Sequence, residues 1–586
     1  MSSFMPGDSK KRLRWLSITV IVMSVIFTFR LVQFQVVQAD QLNKDLLNKL
    51  SETRVIPALR GRIIDVNGKV LAKTVFEYDV NAAPDIVKPF ERVVNGRTQL
   101  INVQQAASEI AAILKMDPAE VVLKITGTSK YSNIQKKVDA GSYRRLQALN
   151  VPWLFYDALP HRVYPSGAVA GNIIGFVGSD GDALAGLELT MNSCLTGVDG
   201  LETYEKGVDG IKIPASSQIT KEAKNGSDVI LTINSDLQYY AQQVMAQYVK
   251  SEKADWGSAV IVEAKTGKIL AAAEAPTVDP NDPGASSEPD RRSRVFQATF
   301  EPGSTMKTVT AAIAIDAGAA TPTSQVKAPQ TLKVLNGTET INDSHNHPLE
   351  HLTLTGVLKE SSNTGIVQLG EVVPLATRYA YLQKFGLGAK TAVNFEGESG
   401  GEFPNYKTWD GLTSLTSMFG QGLSVTPIQT AFFYQTVANG GVRLPAQLVQ
   451  GCRDEAGTLV QLPTQEPVNV VSKASARSTL DMLEKVVEQG GIGRTAAVPG
   501  YRIAGKSGTA QTKQGSGYGN RYAISFIGVA PADSPKYVLA VTIYRPKTVS
   551  NSIGATPPFK AIMEQLLRMY RVPPSTTKSK NIPTNW

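Results

Sequence analysis

The chain has 586 residues, 42% of them hydrophobic, with 49 Gly and 32 Pro, a composition that builds globular cores and excludes a single small module, a fibre or a disordered chain. Its 60 Lys and Arg against 51 Asp and Glu give a net charge of +9, but the excess sits at the ends. Lys10, Lys11, Arg12 and Arg14 outweigh Asp8 at the start, and Arg568, Arg571, Lys578 and Lys580 meet no acid from residue 565 onward. The nearly neutral body between them lacks the basic face that a nucleic-acid partner needs, so no nucleic acid is expected. Two cysteines, Cys194 and Cys452, make neither a disulfide framework nor a CxxC pair, and leave one bridge open.

Residues 1–14 read as a cytoplasmic tail and 15–37 as a transmembrane helix. Trp15 to Phe29 carries no charge; as a helix it spans about 22 Å, short of the ~30 Å hydrocarbon core, and residues through Val37 supply the rest. Arg30 then snorkels at the outer end. Val37 and Ala39 make a poor cleavage site, so the anchor is expected to be retained. The basic flank places the N-terminus in the cytoplasm and the body outside.

Residues 38–224 are expected to hold a stalk and a mixed α/β domain. Leu42, Leu46, Leu47 and Leu50 give residues 40–55 helical spacing. Asn67-Gly68 lies between RIIDV and KVLA as a hairpin turn, and 103–152 reads as amphipathic helix. Residues 225–571 change texture. GSAVIVEA and KILAAAEA flank Lys265-Thr266-Gly267; YRIAGKSGTAQT, AISFIGVA and KYVLAVTIYR follow much later, with helical segments between. Two strands, a helical insertion and three strands close into one five-stranded antiparallel sheet with a helical lobe. The last segment, 572–586 (VPPSTTKSKNIPTNW), is expected to be disordered.

Three short motifs carry chemistry. Ser304-Thr305-Met306-Lys307 opens a helix, and an i, i+3 spacing puts hydroxyl and amine on one face. Ser361-Ser362-Asn363 lies between two helical stretches, offering a hydroxyl and an amide; an ordinary helix cap has the same residues. Lys506-Ser507-Gly508-Thr509 ends a strand, where glycine lets a ligand approach the backbone. Each has a chance copy: Ser575 to Lys578, Ser579 to Asn581, and Lys265 to Gly267. Their order and context together are the signal.

With these motifs the chain resembles a class B penicillin-binding protein, a membrane-anchored peptidoglycan D,D-transpeptidase. Arg60-Gly61-Arg62-Ile63-Ile64-Asp65, Arg162-Val163-Tyr164-Pro165 and Gly186-Leu187-Glu188 resemble the family's non-catalytic pedestal of the dimerisation type. Phe419-Gly420-Gln421-Gly422-Leu423-Ser424-Val425-Thr426-Pro427 resembles a further signature. The resemblance implies an α+β multidomain fold: a transmembrane helix, a mixed α/β pedestal and a penicillin-binding transpeptidase domain like the serine β-lactamases.

It also implies roles. Ser304 attacks D-Ala-D-Ala of a stem peptide, releases D-Ala and passes the acyl group to an amine acceptor; β-lactams acylate the same serine. Lys307 is the base, Ser361 relays a proton to the leaving amine, and Asn363 orients Lys307 and the substrate amide. Lys506, Ser507, Gly508 and Thr509 hold the substrate's carboxylate side. Backbone N–H groups of Ser304 and Thr509 form the oxyanion hole. No cofactor is expected, and a serine–lysine mechanism needs no metal, although His345, His347 and His351 cluster with Asp343 and Glu350. Arg30-Leu31-Val32-Gln33 and the overall likeness favour the division-specific branch, working at the septum with a SEDS-family glycan polymerase and divisome proteins. An elongation-type member and a membrane-bound β-lactam sensor are the alternatives; a sensor would carry a signalling segment across the membrane, where only a short tail precedes the helix.

Overall fold

The computed structural model describes residues 9–38, 51–94, 96–205, 216–462, 465–515 and 517–586. They divide into two compact units, residues 1–59 with 197–225 and residues 60–196 with 226–586.

In the first unit, helix Ser9–Val32 continues as a wider π turn, Gln33–Val37. Within Lys10–Val36 an 18-residue window has a mean hydropathy of 2.1 and none of that window is buried in protein. A helix apolar all round and uncovered fits a lipid surrounding rather than a core. Residues 39–50 of the expected stalk lie outside the described residues. Ser51–Ile56 is a strand instead of a helix, because Thr53, Val55 and Ile56 are β-branched and the backbone finds a partner: it pairs antiparallel with Gly200–Glu205, which pairs with Gln218–Lys221.

The second unit begins with the pedestal. Strands Ile63–Ile64 and Val70–Ala82 flank the Asn67-Gly68 turn, where Gly68 takes φ 88° and Asp65 Oδ1 accepts from the N–H groups of Asn67 and Lys69, both at 2.8 Å. Within 103–152 there are three helices, Val103–Leu114, Pro118–Ile125 and Ala140–Ala148, capped by Asn102, Asp117 and Asp139. Ser132–Val138 between them is a strand on the edge of the pedestal sheet, a break in the expected helical run. The three pedestal signatures converge on one carboxylate. Fully buried Glu188 accepts from Arg60 Nε at 2.6 Å and Arg162 Nε at 2.7 Å, and Arg162 Nη1 donates to the Gly61 carbonyl at 2.7 Å. A buried carboxylate with two guanidinium partners is stable only as a set.

The catalytic half has the expected sheet. Its strands run in the order Ile269–Ala275, Trp256–Glu263, Tyr537–Tyr544, Gly517–Ala530, Ala504–Gln514, all antiparallel. Helices Ser235–Ser251 and Thr556–Met569 pack against it. Met306–Asp316, Leu354–Glu360, Asn363–Gly370, Pro427–Ala438 and Lys473–Val487 build the lobe. Lys265 to Gly267 is the hairpin turn between the first two strands. Strand Asp228–Leu231 joins the pedestal sheet instead, parallel to Ile63–Ile64 and antiparallel to Val449–Arg453.

The bridge that the sequence leaves open is formed: Cys452, on strand Val449–Arg453, is disulfide-bonded to Cys194 across a sequence separation of 258. One expectation is corrected. Segment 572–586, expected to be disordered, lies along the catalytic half. Tyr501 donates to the Val572 carbonyl at 2.6 Å, Ser575 Oγ to Asp533 at 2.9 Å, and Lys580 pairs with buried Asp481 at 2.6 Å. Thr353 N–H donates to the Thr584 carbonyl at 2.9 Å and Trp586 N–H to that of His351 at 3.1 Å. Individual polar contacts hold it, with little apolar burial, and composition does not reveal such contacts.

Candidate active site

The site forms where the edge strand Ala504–Gln514 faces the start of helix Met306–Asp316. Ser304 sits in the tight turn Gly303–Thr305 that leads into this helix. Gly303 has φ 57°, and a Cβ there would stand 2.6 Å from the Thr509 carbonyl oxygen. Gly420 (φ 82°) would place a Cβ 2.3 Å from the Gly303 carbonyl oxygen. Only glycine fits at both positions, so the Gly before Ser304 and the Gly of the Phe419–Pro427 stretch press the Ser304 turn onto the strand. Tyr434 locks the other side: its hydroxyl donates to the Thr305 carbonyl at 3.0 Å and lies 2.8 Å from Thr308 Oγ1.

Lys307 and Lys506 are both fully buried, and their amines meet at one hydroxyl. Lys307 Nζ donates to the Ser361 carbonyl and lies 3.3 Å from Ser361 Oγ. Lys506 Nζ donates to Ser361 Oγ at 2.9 Å and to the Ser507 carbonyl at 3.2 Å. Ser361 ends helix Leu354–Glu360 with φ 62° and ψ 34°; a non-glycine residue held there is local strain of the kind found at functional sites. A hydroxyl has two acceptor lone pairs and one hydrogen. With both lone pairs engaged by amines, the Ser361 hydrogen is left to donate outward.

Electrostatics follow from burial. Loss of water pushes Lys307 down to about 7, while the negative charge of Asp343 acts in the opposite direction. Burial, and then the neighbouring Lys307, hold Lys506 well below the ordinary lysine value. Two ammonium groups on one hydroxyl would repel, so the arrangement favours a neutral amine close to physiological pH.

The remaining motif residues are distributed around this centre. Ser507 Oγ is 3.4 Å from Lys506 Nζ. Gly508 is packed so closely that a Cβ would stand 2.6 Å from Ser525 Oγ and 2.8 Å from the Pro302 carbonyl oxygen. Thr509 Oγ1 accepts from the N–H of Ser552 at 3.1 Å. Asn363 Nδ2 donates to the Asn342 carbonyl at 2.8 Å, and among the described hydrogen bonds none joins Asn363 to either lysine. None among them involves Ser304 Oγ. Sequence reasoning missed Tyr434, which nothing in its apolar helix marks. It placed Asp343 only in a histidine cluster; among the described residues no group of three or more His, Cys, Asp and Glu is placed to hold a metal ion.

Comparison with known proteins agrees with this geometry. The penicillin-binding protein transpeptidase domain matches residues 257–564, and the penicillin-binding protein dimerisation domain matches 55–231. The penicillin-binding protein PbpB of Mycolicibacterium smegmatis is 34% identical over 95% of this chain and 90% of that protein. The peptidoglycan D,D-transpeptidase FtsI of Escherichia coli K12 is 30% identical over 94% of this chain and 91% of its own length. Among solved structures, penicillin-binding protein 3 of Mycobacterium tuberculosis complexed with aztreonam superposes with a TM-score of 0.69 at 30% identity, covering 91% of this chain and 100% of that chain. With a dimerisation domain followed by a transpeptidase domain, and relatives matched nearly end to end, the chain belongs to the class B penicillin-binding proteins.

Proposed function

We propose that this protein is a membrane-anchored D,D-transpeptidase that cross-links peptidoglycan stem peptides through an acyl-enzyme on Ser304. The observation that carries the reading is the Ser361 hydroxyl shared by two buried lysines next to the Ser304 turn. Lys307, held down to about 7, takes the Ser304 proton as the oxygen attacks the D-Ala-D-Ala carbonyl. Tight contact of Gly303 with Thr509 brings the N–H groups of Ser304 and Thr509 together for the tetrahedral oxyanion, where one such donor is typically worth about 3 to 4 kcal/mol. The proton passes from Lys307 by way of Ser361 to the leaving D-Ala amine, and an acceptor amine then attacks the ester by the reverse route. Lys506, Ser507 and Thr509 line the strand on which the terminal carboxylate rests, with Gly508 leaving room for the backbone approach. Asn363 contributes its side chain once substrate enters. β-Lactams, as acyl donors of the same shape, acylate Ser304.

A fluorescent penicillin is expected to label the full-length protein covalently, and S304A to abolish the label; an unlabelled wild type overturns the enzymatic reading. The basic flank of the apolar helix supports a cytoplasmic N-terminus with the catalytic half outside. Likeness to FtsI over nearly the whole chain supports use in septal wall synthesis alongside a SEDS-family polymerase and divisome proteins. Depletion is then expected to give undivided filaments, whereas rounded cells would assign it to elongation.

A further inference from the structure

Close enough to Lys307 to act on its charge lies a carboxylate to which the reaction scheme gives no role. Asp343 follows strand Glu339–Asn342, and its side chain is only 2% exposed. Apart from its contact with His347, the bonds its side chain accepts come from the segment after Ser361. Oδ1 takes the N–H groups of Asn363 and, at 3.1 Å, Thr364. Oδ2 takes the hydroxyls of Ser362 at 2.7 Å and Thr364 at 3.3 Å. These residues are the first turn of helix Asn363–Gly370 and its cap, where exposed N–H groups and the helix dipole favour an anion. Asp343 is in turn held by His347, whose Nε2 is 3.1 Å away while Nδ1 lies 2.7 Å from the Pro348 carbonyl oxygen. The His347 side chain is 5% exposed. A carboxylate from a distant loop thus fixes the residues that immediately follow the shared hydroxyl.

We infer that Asp343, seated by His347, is a positioning residue for acylation: it clamps residues 362–364 so that Ser361 meets both lysines, and it presents a negative charge to Lys307. The inference rests on Lys307 acting as the base. Ser361 is in a left-handed conformation that an unclamped chain readily leaves, so losing the clamp withdraws the hydroxyl from both amines. The charge has a separate consequence. It favours the protonated form of Lys307, opposing burial, and so sets how far the pH must rise before the base is free. The other charged or titratable groups facing this pair are Lys506 across Ser361, Glu350 at 3.7 Å from His347, and His345, whose ring centroid is 5.2 Å from that of His347.

The test uses the full-length protein in detergent and follows the rate of acylation by a fluorescent penicillin between pH 5 and 9. D343N is expected to lower the plateau rate by about tenfold or more and to move the acidic limb of the profile to lower pH, since Lys307 loses a charge that held its proton. H347A, which leaves the carboxylate in place but unseated, is expected to lower the rate severalfold without moving the limb to lower pH. A D343N protein with wild-type melting temperature whose rate is within twofold of wild type, or whose rate falls with an unmoved limb, overturns the inference. If D343N does not fold, H347A decides: a severalfold loss supports the clamp and an unchanged rate overturns it. Failure of the underlying reading is distinguishable, because K307A would then acylate at the wild-type rate, whereas failure of the clamp alone leaves K307A inactive.

Discussion

Two fully buried lysines at one site are a cost to the fold, and the cost has a sign that pH reveals. Burial lowers Lys307 from 10.5 to about 7. Between those values the unfolded chain binds a proton that the native state does not, so stability rises with pH across that window. Below about 7 the whole penalty is present; above 10.5 it is gone. Lys307→Met, which keeps the length and apolar stem but cannot carry charge, is therefore expected to melt at a higher temperature than wild type at pH 7. The gain is at most about 5 kcal/mol by the shift alone, and smaller once the lost bonds to Ser361 are counted. It should shrink steadily as the pH is raised to 10. Thermal melts of both proteins at the two pH values test this; no gain at pH 7, or a gain of the same size at pH 10, would show that Lys307 is not held neutral by burial. The same variant is expected to lose acylation, so stability and activity move in opposite directions at one residue.

At the scale of elements, what was legible in the sequence is what periodicity and turn chemistry encode. The five strands of the catalytic sheet alternate or run apolar between turn residues, and each appears where expected, from Trp256–Glu263 to Tyr537–Tyr544. The Asn67-Gly68 hairpin and the helix after Ser304 were readable for the same reason. Elements held by partners far along the chain were not. Asp228–Leu231 lies within the region 225–571 assigned to the second domain, yet its partners are Ile63–Ile64 and Val449–Arg453, and no local pattern names them. Ser132–Val138 buries only Ile134 and Val138 within a polar stretch, a pattern too weak to interrupt the helical reading. The terminal segment is the clearest case. Its polar, proline-rich composition matches disorder, but a Cβ on Gly356 would stand 1.9 Å from the Thr584 carbonyl oxygen, so a glycine in the helix that leads to Ser361 is shaped by the last few residues of the chain. That Lys307, Lys506 and Ser361 come together was legible in the order and context of their motifs. Asp343 was not, because a carboxylate bonding backbone N–H groups leaves no spacing rule behind.

For the whole molecule, the charge at the ends, the apolar helix and the cysteine pair bear on one question, which side of the membrane the body occupies. Lys10, Lys11, Arg12 and Arg14 flank the apolar stretch of the helix on its N-terminal side, an arrangement that supports the proposed cytoplasmic N-terminus. The Cys194–Cys452 bridge joins the pedestal helix Asn192–Leu195 to strand Val449–Arg453 within one compact unit. Such a bond persists in an oxidising compartment and is reduced in the cytosol. Both observations support the proposed extracytoplasmic body, and the second can be tested without disturbing the N-terminal helix. Cells quenched in acid, denatured and treated with a mass-tagged maleimide are expected to give an unshifted band, and a band carrying two tags only when a reductant precedes the maleimide. Two tags without reduction would place the body in a reducing compartment and remove the extracytoplasmic assignment, and with it access to the cell wall. An oxidised pair also has a mechanical consequence: it closes a loop spanning most of the catalytic half, so unfolding of the pedestal and of that half should be coupled until the bond is reduced.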